Sequence, residues 1–472
     1  MQKLMKYIAV LLILGGVFHQ EASAEEKPHD RIYTIVVDRF LNADDSNDVN
    51  VTDDENEPLP FGGDFRGIEE NLEYIQDMGF DTLMLSPVFE KAEDDYMGYA
   101  VENYGEIESS FGGAESFQSL VDAAHEMGMK VVVDMPVTAT EQYETLDNPA
   151  LNELQGEYYS EVADVEFIDL SVPENQDAYR EMARAFVDEF GVDGLSMNVV
   201  QDGVDAESFM PEGVTTYGIL GSESVTAEGF DHVASEAARQ DVAEAFSTTD
   251  KAIPAYPEDG QILLADHWFT ERFTKHAADE NMFPGTRIQQ LTAYLYGYPG
   301  PISFQYGTEV ALNGETIPQV HRQMDLWTDQ EVVDYIKQIN TVFTDHQQLL
   351  DGAVTELKSG EDGHYVVRYD TTDVDFILNI NDTSKTENFR VPLEAEDEGK
   401  MLSGLLIGDA LRAEEGQDSY NIVLDREETE LYAVIEETGL NNGYVYAGLI
   451  IFGGFGIFIW AVAKRRKPKE EM

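Results

Sequence analysis

Strand-like and helix-like segments alternate along most of this chain, and that alternation constrains the fold more than any other feature. Arg31–Asp38 (RIYTIVVD) is a short apolar run rich in β-branched residues. Gly67–Met78 follows, with Ile68, Leu72, Ile75 and Met78 at helical spacing on one face. Thr82–Leu85 is again strand-like and stops at Ser86-Pro87. Phe117–Met127 reads as an amphipathic helix, Lys130–Asp134 (KVVVD) as a buried strand, and Ala178–Phe190 as a helix leading into the strand GVDGLSMN. A helix between two strands returns the chain to its starting end, so successive strands lie parallel. Repeated over residues 25–349, such units predict an α/β fold, a (β/α)8 TIM barrel of eight strands and eight helices. Insertions are expected in it, including a small loop domain near residues 140–165. The rival doubly wound sheet lacks support, because no G-x-G-x-x-G follows the first strand.

The texture changes near Leu350. VTELKSG, HYVVRYDTTDVDFILNIND, ENFRVPL and ETELYAVIEE read as short strands joined by turns, predicting a C-terminal antiparallel β-sandwich over 350–437. Two apolar segments flank these domains. Met1–Ala24 carries Lys3 and Lys6, an apolar run Tyr7–Phe18 and then Ala22-Ser23-Ala24, the order of a secretory signal cut after Ala24. Gly443–Ala463 is uncharged and long enough to span a bilayer, with Tyr444, Tyr446 and Trp460 at its edges and Lys464-Arg465-Arg466-Lys467 directly behind. The expectation is one C-terminal transmembrane helix, an ectodomain outside the cell and residues 464–472 in the cytoplasm. The linker Glu436–Asn442 would hold the sandwich within about 25 Å of the membrane. The chain has no cysteine, which fits a Gram-positive-like cell surface without disulfide staples.

Charge excludes one class of partner. With 93 acidic against 29 basic residues the net charge is −64, so nucleic acid, which needs a basic footprint, is ruled out. The excess acidity reads first as a solvated surface, and second as capture of cations or basic partners.

Several segments carry a family resemblance in the family's order: IYTIVVDRF, FGGDFRGIEENLEYIQDMGFDTLMLSPVF, the turn Tyr96–Tyr99, VVVDMPVT, GVDGLSMN, RFTKHAADENMFPGTR and PGPISFQYGTE. Through them, Arg31 to about Glu437 resembles the alpha-amylase family, glycoside hydrolase family 13. Such enzymes are retaining glycosidases: one carboxylate attacks the sugar and one carboxylic acid protonates the leaving oxygen. The resemblance implies that this machinery is replaced here. In the pattern GVDGFRxD, Arg becomes Ser196 and the nucleophilic Asp becomes Asn198, whose amide cannot form a glycosyl ester. The acid of the GExW pattern falls on Ser222, with Glu223 one step along as a possible displaced acid facing the other way. Counting back from Arg272-Phe273, the stabilising Asp falls on Phe269 and its His on Trp268. In DxxxNH, Asn and His become Thr138 and Ala139, and the early Tyr-His pair becomes Tyr96-Met97. Tyr96, Tyr99 and Asp134 survive from the sugar-binding shell, the tyrosines as stacking platforms and Asp134 in a structural role.

One site reads as intact. DRFLNADDSND with FGGD resembles the N-terminal calcium loop of amylase relatives, which implies Asn42, Asp44, Asn47, Asp48, the Gly62 carbonyl and Asp64 as ligands. These hard oxygen donors suit structural Ca²⁺ and not zinc. Three functions remain open on the sequence: an inactive surface homologue binding carbohydrate or a cell-surface protein partner, an active alpha-glucan hydrolase or transglycosylase using a displaced acid, and a structural surface protein.

Overall fold

Strand β1 (Arg31–Ile35) pairs in parallel with β2 (Thr82–Leu85) on one side and, on the other, with the last barrel strand, so Thr34 lies between Met84 and Gln305. In this computed structural model, which describes residues 29–257, 260–328, 330–394, 397, 399–413, 417–437 and 442–465, the sheet continues through β3 (Lys130–Asp134), β4 (Gly194–Val199), β5 (Thr215–Leu220) and β6 (His232–Ala234). The order is β6-β5-β4-β3-β2-β1-β7, with β7 at Ile302–Gln305 and every pairing parallel. Segment 262–265 closes the ring. Ile262 N–H donates to the Val233 carbonyl (2.9 Å), Leu263 N–H to Pro301 (3.0 Å), and Ser303 N–H back to Leu263 (2.9 Å). These bonds make it the eighth stave, between β6 and β7. Every residue of β2 and β4 is buried, which is why those strands read as continuous apolar runs.

Helices α1 (Phe65–Glu69) and α2 (Leu72–Asp77) follow β1, and α3 (Gly113–Glu126) follows β2. After β3 come α4 (Glu153–Tyr158) and α5 (Pro173–Phe190), the second begun by a proline and ended by Gly191 at φ +69°. Helix α6 (Glu236–Ser247) follows β6, α7 (Phe273–Asp279) and α8 (Pro284–Gly297) follow segment 262–265, and α9 (Gln330–Asp345) follows β7. The expectation of one helix per strand is corrected at two links. The one helical turn in residues 200–214 is the 3-10 turn Ala206–Ser208, beside a two-residue strand, Val204–Asp205, that pairs with Ala227–Glu228, and residues 221–231 form no helix. Both links are close to the shortest length that can cross between parallel strands. Neither carries an apolar stripe at helical spacing for more than one turn. Val204, Ala206, Phe209 and Met210 are buried in the first of them instead.

Strands β8 (Ala353–Lys358), β9 (His364–Asp370), β10 (Phe376–Asn381), β12 (Lys400–Gly404), β13 (Ala410–Arg412) and β15 (Glu428–Glu436) form an antiparallel sheet in the order β8-β9-β10-β15-β12-β13. A second layer pairs β11 (Glu387–Pro392) with β14 (Ser419–Leu424). Val366, Ile377, Val391, Leu402, Ile422 and Tyr432 fill the space between the layers. The sandwich docks on α8, where Arg287 pairs with Asp382 (2.7 Å) and Glu427 (2.7 Å), and Tyr369 O–H donates to the Gly297 carbonyl (2.6 Å).

Helix α10 spans Asn442–Arg465. Its side chains are described over residues 450–461. Among the described residues no helix is long and apolar enough to cross a membrane. The signal segment Met1–Ala24 and residues 466–472 of the tail lie outside the described residues.

Candidate functional site

The C-terminal ends of β3 and β4 position the residues that matter for chemistry. Ser196 and Asn198 are two apart on β4, so both face the side on which Asp134 stands at the end of β3. Ser196 Oγ donates to Asp134 Oδ1 (2.8 Å). Tyr99 O–H donates to Asp134 Oδ2 (2.7 Å), and Asn198 Nδ2 donates both to the Tyr99 oxygen (2.7 Å) and to Asp134 Oδ2 (3.3 Å). The Thr138 hydroxyl donates to the Tyr99 carbonyl. Burial pushes the Asp134 carboxyl up, against hydrogen bonds from Tyr99, Ser196 and Asn198 that favour its charged form. Asn198 Oδ1 is buried with no hydrogen-bond partner. Within this network Asp134 is the one carboxylate, whereas a retaining glycosidase needs two about 5 Å apart.

An aromatic plug lies over the network. A capping box at Asn152 and Gln155 starts α4, whose last residue is Tyr158 and which runs on into a π-turn, Tyr159–Ala163. Phe269 sits 5.1 Å from the Tyr99 ring, 5.6 Å from Tyr158 and 5.9 Å from Tyr159. Asn152 Nδ2 donates to the Phe269 carbonyl (3.1 Å), and the Tyr158 hydroxyl to Asp95. Most of these rings meet edge to face, the arrangement that adds about 1 kcal/mol per pair beyond burial. Phe269 is 1% exposed and Asn198 4%.

The remaining sequence-predicted positions do not converge on Asn198. Ser222 is half-buried and bonds to the Ser224 hydroxyl (3.0 Å), while Glu223 is exposed. Gln155, unflagged by sequence, is fully buried and stands 2.9 Å from where a Cβ on Gly221 would be. Tyr96 and Tyr99 are buried, so neither presents a ring face for stacking, contrary to expectation. Tyr96 instead bonds to His321 Nδ1 (2.8 Å), whose Nε2 faces the Trp268 carbonyl (2.5 Å). Since a carbonyl only accepts, Nε2 carries the proton and Nδ1 accepts from Tyr96.

This neutral imidazole gives a pH prediction. Burial pushes His321 down to about 3, with the Trp268 carbonyl opposing and Arg39 and Arg272 adding to the fall. The unfolded imidazole gains a proton below pH 6.5 and the folded one does not, so stability falls as pH drops through that window. By pH 5 the loss is about 2 kcal/mol. Denaturant melts at pH 7 and pH 5 should show a smaller acid loss for His321→Gln by that amount, and an equal loss in both proteins would contradict the assignment.

The loop after β1 holds the expected calcium donors. Asn42 Oδ1 and Asn47 Oδ1 are buried without partners. Asn42 Nδ2 lies 2.9 Å from Asp48 Oδ1. Gly62, at φ +83°, leaves a space in which a Cβ would come within 2.5 Å of both groups. Asp64 is already committed: Oδ1 caps α1 through Gly67 N–H (2.6 Å), and Oδ2 accepts from Ala43 (3.1 Å) and Asp44 (2.8 Å). Asp44 accepts twice from Ser46. Among the described residues no group of three or more His, Cys, Asp or Glu side chains is placed to hold a metal, so any ion here would depend on amide and backbone oxygens.

Asp134 and Asn198 thus stand at the C-terminal ends of the barrel strands, the face on which barrels of this kind carry their sites. Residues 33–145 match the alpha amylase catalytic domain and residues 352–432 the alpha-amylase C-terminal domain. Neopullulanase 2 of Thermoactinomyces vulgaris is 25% identical over 463 residues, covering 82% of this chain and 74% of its own. The alpha-amylase of Anoxybacillus superposes with a TM-score of 0.75 at 27% identity, covering 88% of this chain and 99% of its own. That of Geobacillus thermoleovorans, solved with acarbose, gives 0.72 at 26%, covering 87% and 99%. Along most of its length the chain is thus similar to proteins of the alpha-amylase family.

Proposed function

We propose that this protein is a membrane-tethered, catalytically silent member of its family that acts by binding and not by turnover. The observation that carries the reading is the plug: Tyr158, Tyr159 and Phe269 bury Asn198 and Asp134 where a sugar ring would have to sit. The ligand would be an alpha-glucan, another carbohydrate or a cell-surface protein. A fluorinated glycosyl fluoride, which traps the covalent intermediate of retaining enzymes, tests the reading by intact mass. No adduct is expected, and an adduct on any carboxylate would sink it.

Tethering rests on α10. Its described apolar side chains, among them Ile450, Phe452, Phe455 and Phe458, are exposed. Gly443–Ala463 is uncharged and the basic cluster beginning at Lys464 follows. The protein should stay in the membrane pellet after alkaline carbonate extraction, and a chain lacking residues 443–472 should leave it.

Structural Ca²⁺ belongs to the same reading. Asn42, Asn47, Asp48 and the Gly62 carbonyl would hold it, with Asp44 at the rim and Asp64 orienting the loop through backbone N–H groups. A bound ion would tie the loop after β1 to the turn at Gly62. At a hundredfold excess over its Kd it would add about 2.7 kcal/mol to stability. EGTA should lower the melting temperature of the wild type and leave that of Asn47→Ala unchanged. An EGTA-insensitive wild type would remove the ion from the account.

A further inference from the structure

The opposite end of the barrel is open. A cavity of about 710 Å³ lies among residues that precede β1, β2 and β3, and is roofed by α9 and the chain leading into the sandwich. Residues ahead of parallel strands mark the N-terminal face, so this cavity and Asn198 lie at opposite ends of the barrel. Its volume is within the range typical of small-molecule sites.

Arg31 is the central feature of its wall. The guanidinium lies 4.2 Å from the centre of the Tyr296 ring and 5.7 Å from that of Phe343. Burial pushes its pKa down, with nearby Tyr296 and Asp81 opposing. Phe80, Asp81, Asn340, Gln347 and Asp351 complete the polar and aromatic lining. Gly79, at φ +93°, lets the Asn340 amide reach the wall, since a Cβ there would collide with it.

We infer that this cavity is a binding site for a small, neutral, polyhydroxylated ligand of the sugar class. The wall offers guanidinium and amide donors beside carboxylate acceptors. Hydroxyl groups satisfy both at once, and the half-buried Met127 side chain supplies apolar surface for the ring carbons. An anionic ligand would meet Asp81, Asp351 and a chain of net charge −64. A cation would meet Arg31. The inference deepens the reading of a protein that acts by binding, yet fails separately from it. A trapped glycosyl adduct would end that reading and leave this cavity as it is.

The test is calorimetric titration of the full-length protein in lipid nanodiscs with glucose, maltose and trehalose, and with citrate and lysine as charged controls. At least one neutral sugar should bind saturably at millimolar concentration, and neither control should. Gln347→Trp fills the mouth from an exposed position and should abolish binding, while Arg31→Gln should weaken it at least tenfold. If Arg31→Gln does not fold, Gln347→Trp decides alone. The site is overturned by no saturable sugar binding, by binding unchanged in Gln347→Trp, or by tighter binding of citrate or lysine than of any sugar.

Discussion

Asn198→Asp, which puts a carboxylate where the resemblance places the family nucleophile, should destabilise the protein by about 3 kcal/mol and produce no hydrolysis. The amide at 198 donates to Asp134 Oδ2 and to the Tyr99 oxygen, and a carboxylate can do neither. Two buried carboxyl groups would then stand within hydrogen-bonding distance, and one must hold a proton. The Asp134 carboxyl is already pushed up by burial. The unfolded chain loses both protons near pH 4, whereas the folded variant retains one to higher pH. Its deficit should therefore be small at pH 4 and grow towards pH 7. Chemical denaturation at both values checks this, and a variant as stable as wild type at pH 7 would show that the cleft admits charge and water.

The second large effect lies at the joint between barrel and sandwich. Arg287→Met should cost about 3–5 kcal/mol. Arg287 and Asp382 are both fully buried, and Glu427 makes the second ion pair. Removing the guanidinium leaves two carboxylates in a dry interface, an expensive arrangement even where the intact triad contributes little. Burial pushes Asp382 up to about 7, with Arg287 opposing and Glu427 and Asp250 reinforcing the rise. A carboxyl raised in the folded state loses stability as pH climbs from its unfolded value to its folded one, so the wild-type loss ends near pH 7. Without Arg287 the folded value rises further, and the deficit of the variant should be larger at pH 8 than at pH 6. Urea melts at the two pH values measure it, and a deficit below 1 kcal/mol at both would mean that the joint does not depend on this triad.

What was legible in the sequence follows from range. KVVVD and GVDGLSMN were readable as strands because both faces of a parallel strand are buried, so the residues announce themselves without reference to distant partners. The amide at Asn198, where the resemblance places the nucleophile, is readable because it is a change of chemical type at one position. The plug was not. Tyr158-Tyr159 sits among Glu157, Ser160 and Glu161, a context that reads as a wetted turn, and its burial depends on Phe269 more than a hundred residues away. The Asn152–Gln155 capping pattern was the one local sign of a helix there. For the same reason Tyr96 and Tyr99 read in the sequence as open platforms. Arg287, a lone cation in a helical run, gave no sign that two sandwich carboxylates would bury it.

In the proposed reading the cleft around Asn198 is closed and performs no glycoside hydrolysis. Release of reducing ends from starch, maltooligosaccharides and pullulan, assayed with calcium present on protein folded by circular dichroism, tests it most directly. The account predicts no turnover above the buffer blank. Clear turnover that Glu223→Gln abolishes would contradict it and establish Glu223 as a displaced acid.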